Sequence, residues 1–280
     1  MLTPENAFVA LKGVLVRIGF IGCGKMAQAI MGALVKAGKT KPRDVVASDV
    51  DVKALSSAHK HLGITIARTN IETAKLCNIL VLAVKPQQMD QVLSEISPAV
   101  TGRHLVISIA AGIRIARIEA ILKSARVVRT MPNMACLVGE AVTAYAGGRK
   151  TSKSDLKIVA GLLASFGDAI RLPERMFDAV TALSGSGPAF FAYCLAAMTA
   201  GAIDEGLPRA AAMKLAMLTM RGTGRLLIER SIDPADLIAG VASAKGTTAA
   251  GLAVLDSRKT GQILRSTIRA AARRSRQLSR

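Results

Sequence analysis

The chain has few of the residue types that several functions require. Its 280 residues contain no Trp, two Tyr and six Phe, so the aromatic platforms on which single-stranded nucleic acids stack are missing. The four cysteines, Cys23, Cys77, Cys136 and Cys194, are far apart, with no Cys-x-x-Cys pair and no histidine cluster nearby. This pattern predicts buried free thiols in a reducing cytoplasm, and it indicates neither a disulfide framework nor a metal site.

Acidic residues are also scarce, with 19 Asp and Glu against 38 Lys and Arg, a formal charge of +19. Such a balance could serve nucleic acid or an anionic surface. Eight of the basic residues lie between Arg258 and Arg280, and no acidic residue follows Asp256. We expect a solvated basic helix without an apolar stripe, dispensable for chemistry and with no nucleic-acid partner. A non-catalytic, basic nucleic-acid-binding protein remains an alternative.

Two segments bear on membranes. Residues 1–12 contain Glu5 and no small-residue cleavage site, which predicts a short N-terminal extension rather than a secretory leader. Residues 188–203 are uncharged but fall short of the ~20 residues of a membrane helix. Because a helix that is apolar all round must be buried by other helices, we expect no membrane contact but a dimer core, in a homodimer or in a higher homo-oligomer built from dimers.

Short β-branched runs alternate with helical segments from Val14 to Leu172, and strand patterns stop after Pro173. Alternation of this kind is typical of a parallel sheet covered on both faces. The sequence therefore predicts an α/β protein: a Rossmann-type, doubly wound dinucleotide-binding domain over 1–172, then an all-helical substrate and dimerisation domain over 173–280. The predicted strands are 14–21, 44–48, 64–67, 79–84, 105–109, 126–129, 141–146 and 169–171. The predicted helices are 26–37, 52–61, 71–76, 88–96, 114–122, 154–165, 175–183, 188–206, 209–229, 234–240, 247–257 and 262–279.

A glycine-rich turn, Gly-x-Gly-x-x-Ala over residues 22–27, follows the first strand and opens a helix. Its first glycine suits a tight turn, its second lets a pyrophosphate approach the backbone, and Ala27 allows close packing of helix on strand. Asp49 follows the second strand, where an acid can bind ribose hydroxyls and would repel a 2′-phosphate, which favours NADH. Lys25 and Lys53 could still meet a phosphate, so NADH and NADPH both remain candidates.

Two further stretches place hydroxyl residues and glycines before apolar helices: Ser-Gly-Ser-Gly-Pro at 184–188 and Gly-Thr-Thr at 246–248. Free backbone N–H groups at such helix starts can hold an anion, which predicts a carboxylate pocket. The three histidines, His59, His61 and His104, lie away from every motif. A ketone reductase normally needs a proton donor, whereas a cyclic imine is basic enough to arrive protonated, so an imine carboxylate fits better.

Together these motifs resemble the pyrroline-5-carboxylate reductase family over nearly the whole chain. The resemblance implies hydride transfer from NAD(P)H to the C=N bond of 1-pyrroline-5-carboxylate, giving L-proline in the last step of proline biosynthesis, by a cytoplasmic enzyme. It implies catalytic roles for Ser184 and for Thr248, which matches a threonine that hydrogen-bonds the ring nitrogen. The implied substrate-binding residues are Ser186, Gly187, Gly246, Thr247 and Thr248. The implied cofactor-binding residues are Gly22, Gly24, Lys25, Met26, Ala27, Asp49, Asn70, Ala83, Val84, Lys85, Pro86, Ala110 and Asn133.

Some positions leave other interpretations open. Asn70 could be a helix N-cap, Asn133 part of a plain loop, and the 184–188 stretch a helix cap with Pro188 in the first turn. The chain departs from the family at Met134-Ala135, where the family has Thr-Pro, and at 242–246, where it commonly has Thr-Ser-Pro-Gly-Gly.

A second reductase class with the same two-domain plan is the alternative enzyme, an NAD(P)-dependent imine or β-hydroxyacid reductase. The β-hydroxyacid dehydrogenases place a lysine and a neighbouring asparagine early in the helical domain. Here Lys214 is the first lysine after the predicted boundary, and no asparagine follows Asn133.

Overall fold

The computed structural model describes residues 16–279. The predicted extension at 1–12 and the start of the first predicted strand lie outside these residues. The chain divides into two compact units, Met1–Gly185 with Ala271–Arg280, and Ser186–Ala270. Each unit is described by itself.

The first unit contains a sheet whose described strands follow the order β3-β2-β1-β4-β5-β6-β7-β8. Neighbouring strands are parallel except β6 and β7, which are antiparallel. The predicted parallel sheet is confirmed except at this pair, where residues 132–140 are too few for a crossover helix. The strands are β1 (Ile18–Ile21), β2 (Val45–Ser48), β3 (Thr65–Ile66), β4 (Ile79–Leu82), β5 (Leu105–Ser108), β6 (Arg126–Met131), β7 (Ala141–Gly147) and β8 (Gly167–Arg171).

Two layers of apolar side chains cover the sheet, one on each face. Every residue of β1, β2, β4 and β5 is buried, which explains why these strands read as continuous apolar runs rather than alternating ones. The predicted helices of this region are confirmed, with ends shifted by one or two residues. They are α1 (Lys25–Lys36), α2 (Val52–Leu62), α3 (Asn70–Leu76), α4 (Met89–Ile96), α5 (Ile115–Ile121) and α6 (Lys153–Leu163).

The helix predicted over 175–183 is a composite. A 3₁₀ turn at Glu174–Met176 leads into α7 (Phe177–Val180), which continues as a π-helical turn at Thr181–Gly185. The Thr181 hydroxyl donates to the carbonyl oxygen of Phe177 at 2.7 Å, a back-bond that disturbs regular helix geometry. Single π turns are frequent at functional sites, and this one carries Ser184.

The second unit is helical, as the sequence predicted. Its helices are α8 (Gly187–Asp204), α9 (Arg209–Arg230), α10 (Pro234–Val241), α11 (Thr247–Ser257) and α12 (Thr260–Leu278), the last of which ends within the first unit. Pro208 precedes α9, and Asp233 caps α10 by accepting from the N–H of Ala235 at 2.8 Å. Both are ordinary helix-start residues.

The run Glu174–Asp204 is long and apolar enough to cross a membrane, judged by length and composition alone. Such a run is weak evidence for a membrane span, because the core helices of soluble proteins meet the same criterion.

The basic tail differs from the solvated helix that was expected. Ala272 and Ser275 on α12 are buried, 8% and 4% exposed, so the expectation of a helix without a packed face was wrong. Small residues three positions apart share one helix face and give a flat contact surface even though arginines surround them in sequence.

Candidate active site

Gly22 makes the tight turn that its motif predicts. Its φ is +100°, and a Cβ there would lie 2.7 Å from the carbonyl carbon and oxygen of Ala83, so only glycine fits. Its N–H donates to the carbonyl oxygen of Ser48 at 2.8 Å. The turn is therefore held between the carboxyl ends of β2 and β4, the edge of a doubly wound sheet at which ligands bind.

Gly24 precedes α1 and faces open space, since a Cβ there would meet no atom of the described residues within 4 Å. The first turn of α1 holds no acidic residue, and no side chain caps it. Lys25 beside it is exposed, whereas Ala27 is 1% exposed beneath it. Free N–H groups and the positive end of the helix dipole suit a phosphate here.

A groove of about 330 Å³ brings residues from four predicted segments together, a volume within the range of ligand pockets. Its lining includes Gly22, Gly24, Asp49, Asn70, Ala83, Val84 and Lys85. Pro86 follows at the start of a 3₁₀ turn, Pro86–Gln88, and Met26 is half-buried in the first turn of α1.

The Asp49 carboxylate is held by two main-chain groups. It accepts from the N–H of Cys23 at 2.5 Å and from the N–H of Asp51 at 2.9 Å. A carboxylate has about four acceptor positions, so capacity remains for two ribose hydroxyls. Burial raises the pKa of the Cys23 thiol to about 11, with Asp49 and Asp51 adding to the effect, so this thiol stays protonated inside the turn.

Asn70 is not a helix N-cap, so that alternative was wrong. Thr69 caps α3 instead, its hydroxyl accepting from the N–H of Glu72 at 3.1 Å. The Asn70 amide accepts from the Ser48 hydroxyl at 2.8 Å and donates to Glu95 at 2.7 Å. These contacts fix its orientation at the groove wall.

Asn133 and Ser184 come together although 51 positions separate them. The Asn133 amide donates to the Ser184 hydroxyl oxygen at 3.3 Å and accepts from the N–H of Ala135 at 3.2 Å. Asn133 thus caps the 3₁₀ turn Met134–Val138 and is more than a plain loop residue. Ala110, which follows β5, is 5% exposed.

In the second unit the predicted residues lie at two helix starts. Ser186 is the N-cap of α8, with Gly187 buried behind it and Pro188 in the first turn. The Ser186 side chain makes no capping hydrogen bond among the described residues, so the helix start does not use its hydroxyl.

Gly246 is the N-cap of α11, which begins with Thr247 and Thr248 and has neither an acidic residue in its first turn nor a side-chain cap. Thr247 is exposed and Thr248 half-buried. Lys245 has a φ of +61°, a conformation that glycine adopts without strain. This explains why a glycine suits the position in the family pattern from which this chain departs.

Sequence reasoning missed a buried cation in the first unit. Arg129 on β6 is 3% exposed, donates to Glu174 at 3.1 Å, and lies with its guanidinium carbon 4.8 Å from the Phe177 ring centre. Its Nε and Nη2 have no partner among the described residues. Glu174 also accepts from the N–H of Ile115 at 2.7 Å. The sequence did offer one indication of this buried cation, because Arg129 lies within a predicted strand of the sheet.

Two family models match separate parts of the chain. Residues 174–278 match the family described as pyrroline-5-carboxylate reductase dimerisation, and residues 17–112 match the one described as NADP oxidoreductase coenzyme F420-dependent. A pyrroline-5-carboxylate reductase of Methanosarcina acetivorans is 39% identical over 94% of this chain and 98% of its own length. The chain belongs to the pyrroline-5-carboxylate reductase family. Pyrroline-5-carboxylate reductase 3 of Rattus norvegicus is 36% identical over 94% of this chain and 96% of its own.

Solved structures of pyrroline-5-carboxylate reductases have the same fold. The Plasmodium falciparum protein with NADP bound has a TM-score of 0.87 at 27% identity, covering 95% of this chain and 98% of its own. The Coxiella burnetii protein has a TM-score of 0.88 at 29% identity, covering 95% and 100%. The chain is thus an oxidoreductase with a Rossmann-type sheet followed by a helical dimerisation domain. Across residues 16–279 no group of three or more His, Cys, Asp and Glu side chains is placed to hold a metal ion.

Proposed function

We propose that this chain reduces the C=N bond of 1-pyrroline-5-carboxylate to L-proline with NADH or NADPH. The observation that carries the proposal is a pair of glycine-led helix starts, α1 and α11, neither of which has an acidic residue in its first turn or a side-chain cap. Both can therefore hold an anion. Membership of the pyrroline-5-carboxylate reductase family and the name of its 39% identical relative support the same reaction.

The residues of the first unit fit a dinucleotide. The N–H groups at the start of α1 would hold the pyrophosphate beside Gly24, Lys25 and Met26. Asp49 and Asn70 would hold the adenosine end in the groove that Ala83, Val84, Lys85 and Pro86 border. Ala110, Asn133 and Ser184 would orient the nicotinamide end. The bound coenzyme supplies the hydride.

The residues of the second unit fit the imine carboxylate. The carboxylate would accept from the N–H groups of Thr247 and Thr248 beside Gly246, because the Gly246 N–H already donates to the Ser243 carbonyl oxygen at 3.0 Å. The Thr248 hydroxyl would hydrogen-bond the ring nitrogen. Ser186 and Gly187 would complete the substrate contacts at the start of α8. Because the imine arrives protonated, these residues need only orient it and exclude water, and orientation alone contributes much of the rate.

By function, we assign residues 1–172 to the dinucleotide-binding domain and residues 173–280 to the substrate and dimerisation domain. We assign the dimer core to α8, which has no charged residue before Asp204 and has exposed Phe191, Tyr193 and Met198. We expect no nucleic acid and no membrane as partner. The free cysteines, three of them buried, support a cytoplasmic location.

The test is oxidation of NADH or NADPH by the purified protein mixed with pyrroline-5-carboxylate. Thr248→Ala should lower kcat/KM by about fivefold to 150-fold, which corresponds to the ~1 to 3 kcal/mol expected for the loss of one buried hydrogen bond. Thr267→Ala is the matched control, because the Thr267 hydroxyl bonds only the Ile263 carbonyl of its own helix among the described residues. Absence of turnover in the wild-type protein contradicts the function, and unchanged kinetics in Thr248→Ala removes this residue from the site. Tight, salt-sensitive DNA binding without turnover supports the nucleic-acid alternative.

A further inference from the structure

The last two turns of α12 contact two segments that carry candidate site residues. Ser275 is 4% exposed, and its hydroxyl donates to the Asp178 carboxylate at 2.6 Å. Leu278 lies against Gly112, where a Cβ would be 3.1 Å from the Leu278 carbonyl oxygen. Both contacts lie within the first compact unit.

Asp178 belongs to α7, a helix of four residues that continues directly into the π-helical turn bearing Ser184. A helix this short has no stability of its own, so tertiary contacts decide where it lies. One contact comes from the sheet, where Phe177 packs under the Arg129 guanidinium. Another comes from Ser275, whose hydroxyl donates to the Asp178 carboxylate, and a hydrogen bond to a charged acceptor is one of the stronger kinds.

Gly112 lies in the loop that follows β5, two residues beyond Ala110. Its φ is +76°, so any other residue would be strained there. A Cβ at Gly112 would also require the Leu278 main chain to move away by a few tenths of an ångström. The end of α12 therefore bounds this loop directly, backbone against backbone.

We propose that the end of α12 is a positioning element of the active site. Through Ser275 it fixes α7 and hence the place of Ser184, and through Leu278 it fixes the loop that carries Ala110. The roles of Ser184 and Ala110 in the reaction rest on the proposed function, whereas their positioning by α12 is a property of the fold. The tail is then part of the catalytic framework, despite its basic and solvated outer face.

Hydrogen exchange of the free protein tests the positioning without any reaction. In Ser275→Ala, amides of residues 177–185 should exchange faster, because α7 loses the hydrogen bond that holds it to the end of α12. The conservative variant Ser275→Thr keeps the hydroxyl and should restore slow exchange. Ser279→Ala is the matched control, since this hydroxyl bonds only the Ser275 carbonyl of its own helix among the described residues. Equal exchange in Ser275→Ala and Ser279→Ala overturns the proposal.

Single-turnover kinetics tests the consequence for chemistry. Ser275→Ala should slow hydride transfer by about tenfold, the effect of one misplaced hydrogen-bonding group, and Ser275→Thr should recover the rate. Binding of ADP-ribose, which needs only the groove near Asp49, should be unchanged. A full transfer rate in Ser275→Ala, or an equal loss of ADP-ribose binding, overturns the positioning role. Failure of the wild-type protein to reduce pyrroline-5-carboxylate refutes the proposed function instead, and leaves the exchange test in force.

Discussion

The two units of this chain differ in how far their main apolar elements are buried. In the first unit the central strands are buried along their whole length, and the candidate coenzyme residue Asp49 is held by main-chain N–H groups. In the second unit α8 has no charged residue before Asp204, yet Phe191 is 61% exposed and Tyr193 78% exposed. Monomeric proteins rarely leave such large apolar side chains together in water. The first unit thus buries the apolar residues of its central strands within its own chain, whereas the exposed apolar side chains of α8 in the second unit need a partner surface to cover them.

Coenzyme binding and substrate binding should therefore differ in whether they need a second copy of the chain. A coenzyme groove inside one unit needs only its own chain, so it should form in a monomer. A helical unit that is completed by another copy should lose its substrate contacts when that copy is removed. Variants that affect one unit and spare the other can therefore separate the two.

The largest expected effect is that of Ala196→Glu on α8. Ala196 is exposed in the described chain, and in a dry dimer interface a carboxylate there costs roughly 3–5 kcal/mol as an unpaired charge. Sedimentation should show monomers or aggregates, and turnover should be lost, while ADP-ribose binding to the first unit persists. Ala270→Glu introduces the same charge at an exposed position of basic α12 and should leave the oligomer intact. A folded, active monomer from Ala196→Glu contradicts the role of α8.

A smaller effect is expected at Asp49, inside the first unit. Asp49→Ser removes a carboxylate that would face a 2′-phosphate, and should raise kcat/KM for NADPH relative to NADH by roughly tenfold, about 1.4 kcal/mol. Asp51→Asn is the control, because it removes a neighbouring charge of the same groove and keeps the cap of α2. An unchanged coenzyme ratio in Asp49→Ser, or an equal change in Asp51→Asn, means that Asp49 does not face the ribose.

The sequence predicted the features that depend on neighbouring residues or on the order of the strands. The Gly22 turn follows from its spacing after a strand, and Asp49 and Asn70 follow from the rule that the carboxyl ends of parallel strands share one edge. The groove that gathers them is a consequence of strand order alone. The contacts that were missed join distant positions: Arg129 and Glu174 are 45 residues apart, and Ser275 and Asp178 are 97 apart. No periodicity encodes such pairs, because they depend on how α7 and the end of α12 dock on the sheet.

The smallest expected effect concerns Lys245, in the second unit. A left-handed backbone costs a non-glycine residue roughly 1–2 kcal/mol, which a change to glycine removes. Part of this stabilisation is offset by the greater freedom of glycine in the unfolded chain. Lys245→Gly should therefore raise the free energy of unfolding by about 0.5 kcal/mol, measured by denaturant titration. Lys259 has a φ of +55° and lies between α11 and α12, so Lys259→Gly should give the same stabilisation. The two variants should differ only in chemistry: losing the Lys245 charge beside the N-cap of α11 should raise KM for the imine carboxylate, whereas losing Lys259 should not. A fall in stability for Lys245→Gly contradicts the strained backbone. An equal KM in both variants means that the substrate carboxylate does not bind beside Gly246.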